Sequence, residues 1–336
     1  MTQTADLPQR QALHLRILRL AVVVSLLLTT TSFVPLYPLL TEWTGSLRPQ
    51  LCFGILLLAV VALVLRRFRL LTLLLMQLPI HSLCMAVLFH NPIRTEPSAQ
   101  HDLSICSVNV HVSNRSAETL IPVLPQQLPD VIGVLELNPA MWSSLEREFG
   151  SSHPHRLHCF CASAHFGIGV VSRYPIIDHE PFPENPDEIP VVNAVLQTPR
   201  GKVRILLAHL LPPLSSRFLT IRNESLQTLV TRLTTARQTQ PEIPAILVGD
   251  LNCTPWVSAY SQFLSQLALR DSLHRGNLNA TCNLLRLPGC GLVIDHAFFS
   301  HELDCVSRRT LADFGSDHRP LLIEYRFLRP QSVSAE

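Results

Sequence analysis

Charge is scarce in this 336-residue chain. Asp, Glu, Lys and Arg together make up 15% of it, and lysine occurs once, at Lys202. With a formal net charge of +2 there is no polybasic stripe, which excludes capture of nucleic acid by bulk charge. Glycine is sparse as well, at 12 residues. Neither G-x-G-x-x-G nor G-x-x-x-x-G-K-[ST] occurs, so the nucleotide-cradling loops those motifs mark are excluded. There is no internal repeat and no low-complexity tract. The 47% hydrophobic content excludes intrinsic disorder and exceeds what an ordinary soluble enzyme carries, unless the excess is concentrated in one place.

It is concentrated. Residues 20–93 hold only five charged side chains, Glu42, Arg48, Arg66, Arg67 and Arg69. Uncharged runs of 22, 17 and 24 residues lie between Arg19 and Glu42, Arg48 and Arg66, and Arg69 and Arg94. A helix crosses a bilayer core with about 17–25 apolar residues. The spacing therefore predicts three transmembrane helices within residues 20–90. A signal peptide is disfavoured because its apolar region is only about 7–15 residues long. Arg10, Arg16 and Arg19 precede the first run, and Arg66, Arg67 and Arg69 separate the second from the third. The positive-inside rule then places residues 1–19 in the cytoplasm and everything after about residue 92 outside it. For a bacterium that means an integral, multi-pass inner-membrane protein with a periplasmic domain. Residues 91–100 read as a polar, Pro-bearing linker, 101–328 as one large domain able to bury its own core, and 329–336 as a tail. A transporter reading is weak, because the runs carry no acidic residue, only His81 and His90 near the third.

Nine cysteines, seven of them beyond residue 100, leave the compartment open. Cys282 and Cys290 could staple the loop between them, and the sequence does not decide whether they do. The run from His153 to Cys161 looks metal-like in composition but matches no structural zinc spacing. It reads as a polar loop entering a half-buried strand.

Within 101–328, short β-branched runs predict strands at Ser104–Val110, Asp130–Glu136, Gly167–Ser172, Val191–Gln197, Val203–His209, Ala245–Asp250, Val293–Phe299 and Pro320–Tyr325. Apolar periodicity predicts helices at Arg217–Arg237 and Ser258–Leu267. Pro122 and Pro125 should break the helical stretch Ala117–Leu128. This mixture predicts an α/β or α+β sandwich. Several strands end in Asp, Glu, Asn or His: Asn109, Glu136, His209, Asp250 with Asn252, Asp295 with His296, and Asp317 with His318. One such ending only marks the surface. Repeated at most strands, they would converge into a pocket of carboxylates and histidines. Carboxylates and carboxamides without thiolates select hard cations, so Mg²⁺ or Mn²⁺ is expected. Such an ion keeps open positions for phosphate oxygens, and phosphate-ester hydrolysis then needs an oriented water and donors to the developing charge.

The strings Ser-Val-Asn109-Val, Pro-Asp-Val-Ile-Gly-Val-Leu-Glu136, Gly-Ile-Gly-Val-Val-Ser172-Arg-Tyr-Pro, Leu-Ala-His209-Leu, Gly-Asp250-Leu-Asn252, Ile-Asp295-His and Gly-Ser-Asp317-His318-Arg-Pro run in the order of a known family. The chain resembles the endonuclease/exonuclease/phosphatase superfamily over about residues 104–326. With its apolar N-terminus it looks like the membrane-anchored bacterial branch. The resemblance implies an α+β fold, the four-layer α/β/β/α sandwich of the deoxyribonuclease-I-like proteins. It also implies roles. Glu136 would be the main metal ligand, supported by Asn109 and Asp317. Asp250 would orient or deprotonate the attacking water, or hold a second metal, and Asn252 would donate to the phosphate. His318, oriented by Asp295, would contact the scissile phosphate. His209 would be a second phosphate contact or general acid. The chain departs from the family at Leu135, where a Gln often stands, at Thr281-Cys282, where the anchored branch often has Thr-Trp, and at Pro122 and Pro125. These departures touch the rim and spare the catalytic side chains. Asn252-Cys253-Thr254 is a glycosylation sequon on a site residue, which favours a bacterial envelope over a eukaryotic secretory route.

The expected activity is divalent-metal-dependent hydrolysis of a phosphate ester borne by nucleic acid or by a lipid head group, with no protein partner foreseen. The alternative is a catalytically inactive module that binds a phosphorylated ligand or lipid on the same fold.

Overall fold

The computed structural model describes residues 7–34, 36–86, 100–160, 167–183, 189–273, 279–283 and 291–328. Two compact units divide the chain, Met1–Val87 and Leu88–Glu336.

The first unit is helical: α1 (Leu7–Thr31), α2 (Pro38–Ser46), α3 (Arg48–Val64), α4 (Phe68–Leu75) and α5 (Gln77–Cys84). The expectation of three continuous spanning helices does not hold. Among the described residues one helix, over Ala12–Thr31, is long and apolar enough to cross a membrane, and α2 with α3 would add a second only as a pair bent by 67°. The second run forms α3 unbroken at 17 residues, and two prolines mark helix junctions before and after it. A proline ring clashes with the carbonyl four residues back in a continuing helix. Pro49 opposes Gly45 at the α2/α3 junction, and Pro79 opposes Leu75, where α4 stops.

This unit is apolar outside and partly polar inside. Leu20, Leu27, Phe53, Val60, Val64 and Phe68 are exposed, while Ser25, Thr29, Ser32, Glu42, Arg48, Gln77 and His81 are buried. The buried groups bond to one another. Arg48 Nη1 lies 3.2 Å from Ser32 Oγ and 3.3 Å from His81 Nδ1, and Thr29 Oγ1 lies 3.0 Å from His81 Nε2. Thr29 Oγ1 donates to Gln77 Oε1 at 2.8 Å, and Gln77 Nε2 donates to Ser25 Oγ at 3.2 Å.

The second unit holds two six-stranded sheets. In the first, the order is β13 (Leu303–Thr310), β14 (Leu321–Phe327), β1 (Leu103–Asn109), β2 (Val131–Leu137), β4 (Gly167–Ser172) and β3 (His155–Cys159). In the second, it is β5 (Ile176–His179), β6 (Val191–Thr198), β7 (Gly201–His209), β8 (Ala245–Asp250), β12 (Asp295–Phe299) and β9 (Arg270–Asp271). The short β10 (Cys282–Asn283) and β11 (Gly291–Leu292) pair with each other. All eight expected strands form, each end within two residues of its predicted place.

The sheets pack face to face. Ile105, Leu135, Ile168 and Ile323 of one meet Ile205, Leu207, Ile246 and Val248 of the other in a single core. The strands read as near-continuous apolar runs because their outer faces are covered too. The first sheet turns Val108, Ile132 and Val134 onto α6 (Pro139–Phe149) and the 3₁₀ turns at Ala117–Thr119 and Ile121–Val123. Asn138 caps α6 by accepting from Met141 N–H at 2.9 Å. The second turns Leu206, Leu247 and Phe298 onto α7 (Ser216–Thr239) and α8 (Ser258–Gln266). The expected α/β/β/α layering is therefore present, and the Pro122/Pro125 region is irregular, as its composition requires. Sequence reading did not foresee α6 or the strands β5, β9, β10, β11 and β13. The run His153–Cys159 does enter a half-buried strand, whose residues alternate in exposure. Cys161 and Cys290 lie outside the described residues.

Candidate active site

Topology brings the polar strand ends to one edge. β1 is parallel to β2 and β7 is parallel to β8, so Asn109, Glu136, His209 and Asp250 all stand at or next to carboxyl ends. β12 and β14 run antiparallel to β8 and β1, so their amino ends reach the same edge. Asp250 is in register with both His209 and Asp295. His318 stands three residues before β14.

Local backbone then aims the side chains. β2 pairs with β4 through Leu135 and Leu137 but skips Glu136, which sits at a bulge with φ of 55°. A bulge re-aims the extra residue out of the ladder, and a positive φ at a non-glycine residue is strain that the surroundings must hold. Asn252 is also left-handed, with φ of 47°. Its backbone carbonyl accepts from Arg222 Nη1 at 3.2 Å, an arginine of α7 that is fully buried. Gly249 has φ of 140°, and a Cβ there would lie 2.0 Å from the Ala208 carbonyl oxygen. Only glycine fits beside Asp250.

Asp250 Oδ2 is the hub of the cluster. Asn109 Nδ2 lies 3.4 Å from it, and His209 Nε2 and His318 Nε2 each lie 3.6 Å from it. Asn109 Nδ2 also donates to Glu136 Oε1 at 3.0 Å, while its own Oδ1 accepts from His111 N–H at 3.0 Å. Glu136 Oε2 accepts from Val112 N–H at 2.9 Å, and Oε1 lies 3.9 Å from His209 Nε2. Asp250 Oδ1 accepts from Asn252 N–H at 2.8 Å, and Asn252 Nδ2 donates to the Leu210 carbonyl at 2.8 Å. His318 Nδ1 lies 2.8 Å from Asp295 Oδ2. Thr281 Oγ1 accepts from the backbone N–H groups of Ile294 and Asp295 and so fixes that turn. Ser316 Oγ donates to the Asn109 carbonyl at 2.8 Å, tying the Asp317-His318 segment to the end of β1.

These contacts join Asn109, Glu136, His209, Asp250, Asp295 and His318 into one network. Asp317 is half-buried and groups with His318 and Cys282. Asn252 joins through its backbone. Glu136 is the most open of the network, its side chain 20% exposed against 1% for Asp250. Arg222, Thr281 and Cys282 complete the surroundings. Nothing in the sequence marked Arg222, one of several arginines in α7. Thr281 and Cys282 did stand out, as departures from an expected pair.

The electrostatics are those of a crowded acidic pocket. Burial and the neighbouring Asp295 push Asp250 well above the usual carboxylate range, against the pull of His318. Burial would lower His318, but Asp295 and Asp250 outweigh it and hold the imidazole well above its ordinary value. Burial dominates at His209, which falls to about 4 despite Glu136 beside it. Burial opposes ionisation of Asp295, and His318 and Thr281 overcome it, leaving that carboxyl below its usual value. The two histidines thus differ in charge at neutral pH.

A family model, the endonuclease/exonuclease/phosphatase family, matches residues 106–318. Solved structures share the fold at low identity. One is an endonuclease/exonuclease/phosphatase protein from Beutenbergia cavernae, 17% identical, with a TM-score of 0.54 over 68% of this chain and 72% of that one. Another is the 3'-5' exonuclease NExo from Neisseria meningitidis, 20% identical, with a TM-score of 0.52 over 67% of this chain and all (100%) of that one. A third is truncated TDP2 from Caenorhabditis elegans, 13% identical, with a TM-score of 0.51 over 67% and 97%. No curated protein sequence matches the chain significantly.

Proposed function

The chain belongs to the endonuclease/exonuclease/phosphatase family, and from that premise we propose that it is a divalent-metal-dependent phosphoesterase held at a membrane by its helical unit. The observation that carries the activity is the network centred on Asp250 Oδ2, where two carboxylate-flanked histidines and the Asn109–Glu136 pair meet at one sheet edge.

The residues fit a hard cation. Glu136 and Asp317 offer carboxylate oxygens, and Glu136 is open on one side; Asn109, whose Oδ1 accepts from His111 N–H, presents Nδ2 to Glu136 and steadies it. Burial and the neighbouring Asp295 disfavour Asp250 as an anion, and an added positive charge would offset both. Glu136 would be the main ligand of Mg²⁺ or Mn²⁺, with Asp317 and Asn109 in support. When bound, the ion neutralises phosphoryl oxygens and lowers the barrier to attack.

The chain's own groups do the rest. Asp250, with one oxygen fixed by Asn252 N–H, orients the attacking water and takes its proton. Asn109 holds Glu136 and Asp250 apart at fixed distance. Asp295 fixes the His318 tautomer, so that Nε2 faces the pocket and donates to a phosphate oxygen. His209 contacts the phosphate from the other side of Asp250. Asn252 Nδ2 has one N–H on Leu210 and a second to give to the phosphate.

Membrane attachment is supported by the arrangement of the helical unit. Its exposed side chains are mostly apolar, Leu, Val and Phe foremost, and its buried ones include a bonded polar set. That is the reverse of a water-soluble domain, and it suits lipid outside and polar pairing inside. On this reading the helices anchor a bacterial inner-membrane protein, with the second unit on the periplasmic face.

The substrate is a phosphate ester borne by nucleic acid or by a lipid head group. The test is turnover of bis-p-nitrophenyl phosphate, plasmid DNA and a phosphosphingolipid by the full chain in detergent, with and without Mg²⁺ or Mn²⁺. Metal-dependent turnover, lost in Asp250→Ala and His318→Ala, is expected. A folded protein that binds the metal and hydrolyses none of the three would instead point to a binding module.

A further inference from the structure

The fold places Cys282 against the candidate site. An isolated antiparallel bridge pairs Cys282 with His318. The bonds flanking it are Asn283 N–H to the Asp317 carbonyl at 2.8 Å and Arg319 N–H to the Thr281 carbonyl at 2.7 Å. Cys282 and His318 are therefore a non-hydrogen-bonded pair, the closer of the two kinds, with side chains on one face. Donor atoms of Cys282, Asp317 and His318 all lie within 4.8 Å of one another. Cys282 is a free thiol, and both it and His318 are buried while Asp317 is half-buried.

We propose that Cys282, Asp317 and His318 form a second metal site, specific for zinc, and that zinc bound there inhibits the enzyme by occupying His318 Nε2. The donor chemistry is the reason. A thiolate, an imidazole and one carboxylate make a soft, three-ligand set that selects Zn²⁺ over Mg²⁺ and leaves a fourth position for water. The His318 ring is prepared for it. Its Nδ1 is committed to Asp295 Oδ2 at 2.8 Å, the arrangement in which a carboxylate fixes a ligating histidine and presents the other nitrogen to the metal. Tetrahedral zinc with bonds of about 2.0–2.3 Å keeps its ligands roughly 3.3–3.8 Å apart, so the three need to close by only about 1 Å. Glu136 and Asn109 are not members of this group, and Asp317 is the one donor it shares with the hard-cation set. Mg²⁺ can therefore compete only through Asp317, while the thiolate and imidazole keep the preference for zinc. Binding stands on the geometry alone, whereas inhibition rests on the phosphoesterase reading above.

The experiment uses the full chain in detergent with excess Mg²⁺. Zinc binding is measured by equilibrium dialysis, and Co²⁺ replaces zinc as a spectroscopic probe of thiolate ligation. Cys282→Ser and Cys282→Ala are compared with Cys305→Ser, a buried thiol elsewhere in the fold. The site predicts one zinc per chain and a thiolate-to-Co²⁺ charge-transfer band. Both Cys282 variants should lose the band and weaken zinc binding by at least about ten-fold, with Cys305→Ser unchanged. Zinc binding unaltered in the Cys282 variants, or a Co²⁺ spectrum with no thiolate band, would overturn the site. Inhibition is read against each variant's own zinc-free rate. Its midpoint should match zinc occupancy in the wild type and rise at least about ten-fold without Cys282. Turnover that is insensitive to bound zinc overturns the inhibitory role. Cys282-dependent zinc binding with no turnover under any condition upholds the site and counts against the phosphoesterase reading.

Discussion

Replacing Gly249 by alanine tests how the fold positions Asp250. The new Cβ would lie 2.0 Å from the Ala208 carbonyl oxygen, at a φ of 140° that alanine rarely adopts. Neither partner can swing aside, because both belong to the backbone of the adjacent parallel strands β7 and β8. Positive-φ strain costs about 1–3 kcal/mol and forced overpacking about 1–3 kcal/mol more, so destabilisation of about 2–6 kcal/mol is expected. Relief of the clash requires β8 to move by about 1 Å at Asp250, and a misplacement of that size costs on the order of 10²-fold in rate. Gly133→Ala is the control. Its Cβ would meet Leu207 Cδ1 at 2.7 Å, the end of a flexible side chain in the middle of the core. It should cost about 1–3 kcal/mol and leave the turnover of the folded enzyme near wild type. Urea midpoints and metal-dependent turnover of both variants decide the matter. Wild-type turnover in folded Gly249→Ala would refute the view that this glycine sets the position of Asp250.

The other expectations are as follows. Asp295→Asn keeps a hydrogen-bond acceptor for His318 Nδ1 but removes the charge, and turnover should fall on the order of 10²-fold or more with little change in urea midpoint; unchanged turnover would remove Asp295 from the machinery. Arg222→Met removes the donor to the Asn252 carbonyl and should cost about 1.5–3 kcal/mol in stability together with turnover; stability lost with turnover kept would make Arg222 purely structural. His296 is buried, bonds the Cys253 carbonyl through Nε2 at 2.7 Å, and is pushed by burial down to about 4. The folded state holds it neutral while the unfolded chain protonates near 6.5, so its stabilisation is full above that value and is lost as pH falls toward 4. The span is worth about 3 kcal/mol. Urea unfolding of the wild type should therefore weaken more steeply between pH 7 and 4 than that of His296→Gln, and identical pH profiles would contradict the assignment.

What the sequence made legible follows from what each signal depends on. The central strands were readable because both faces are covered, so β2 and β8 appear as near-continuous apolar runs, and β1 and β7 as apolar runs with isolated polar breaks, all ending in or next to polar residues. The site residues were readable for the same reason, since a carboxylate or histidine that closes such a run is conspicuous. Edge strands mostly were not. Of these only β3 showed, as a half-buried strand entered from a polar loop; β9, β10 and β11 have two residues each, too short for a periodic signal. The helix α6 went unseen although Asn138-Pro139 is a good start signal. The N-terminal unit misled because apolar length was counted without weighing the prolines: the second run forms α3 unbroken but only 17 residues long, and Pro79 divides the third into α4 and α5. Arg222 was invisible for a different reason. Its role comes from tertiary placement under Asn252, and nothing in a helix marks one arginine among several.

The central claim is that Glu136 holds a divalent cation which the Asp250 network uses to hydrolyse a phosphate ester. Its most direct test is turnover of bis-p-nitrophenyl phosphate as a function of Mg²⁺ concentration, in wild type and Glu136→Gln, with Mg²⁺ binding measured on the same samples. The account predicts that Glu136→Gln weakens Mg²⁺ binding and loses turnover together, with partial recovery of rate at high Mg²⁺. Full turnover in Glu136→Gln, or turnover in the wild type that survives complete removal of divalent ions, would contradict it.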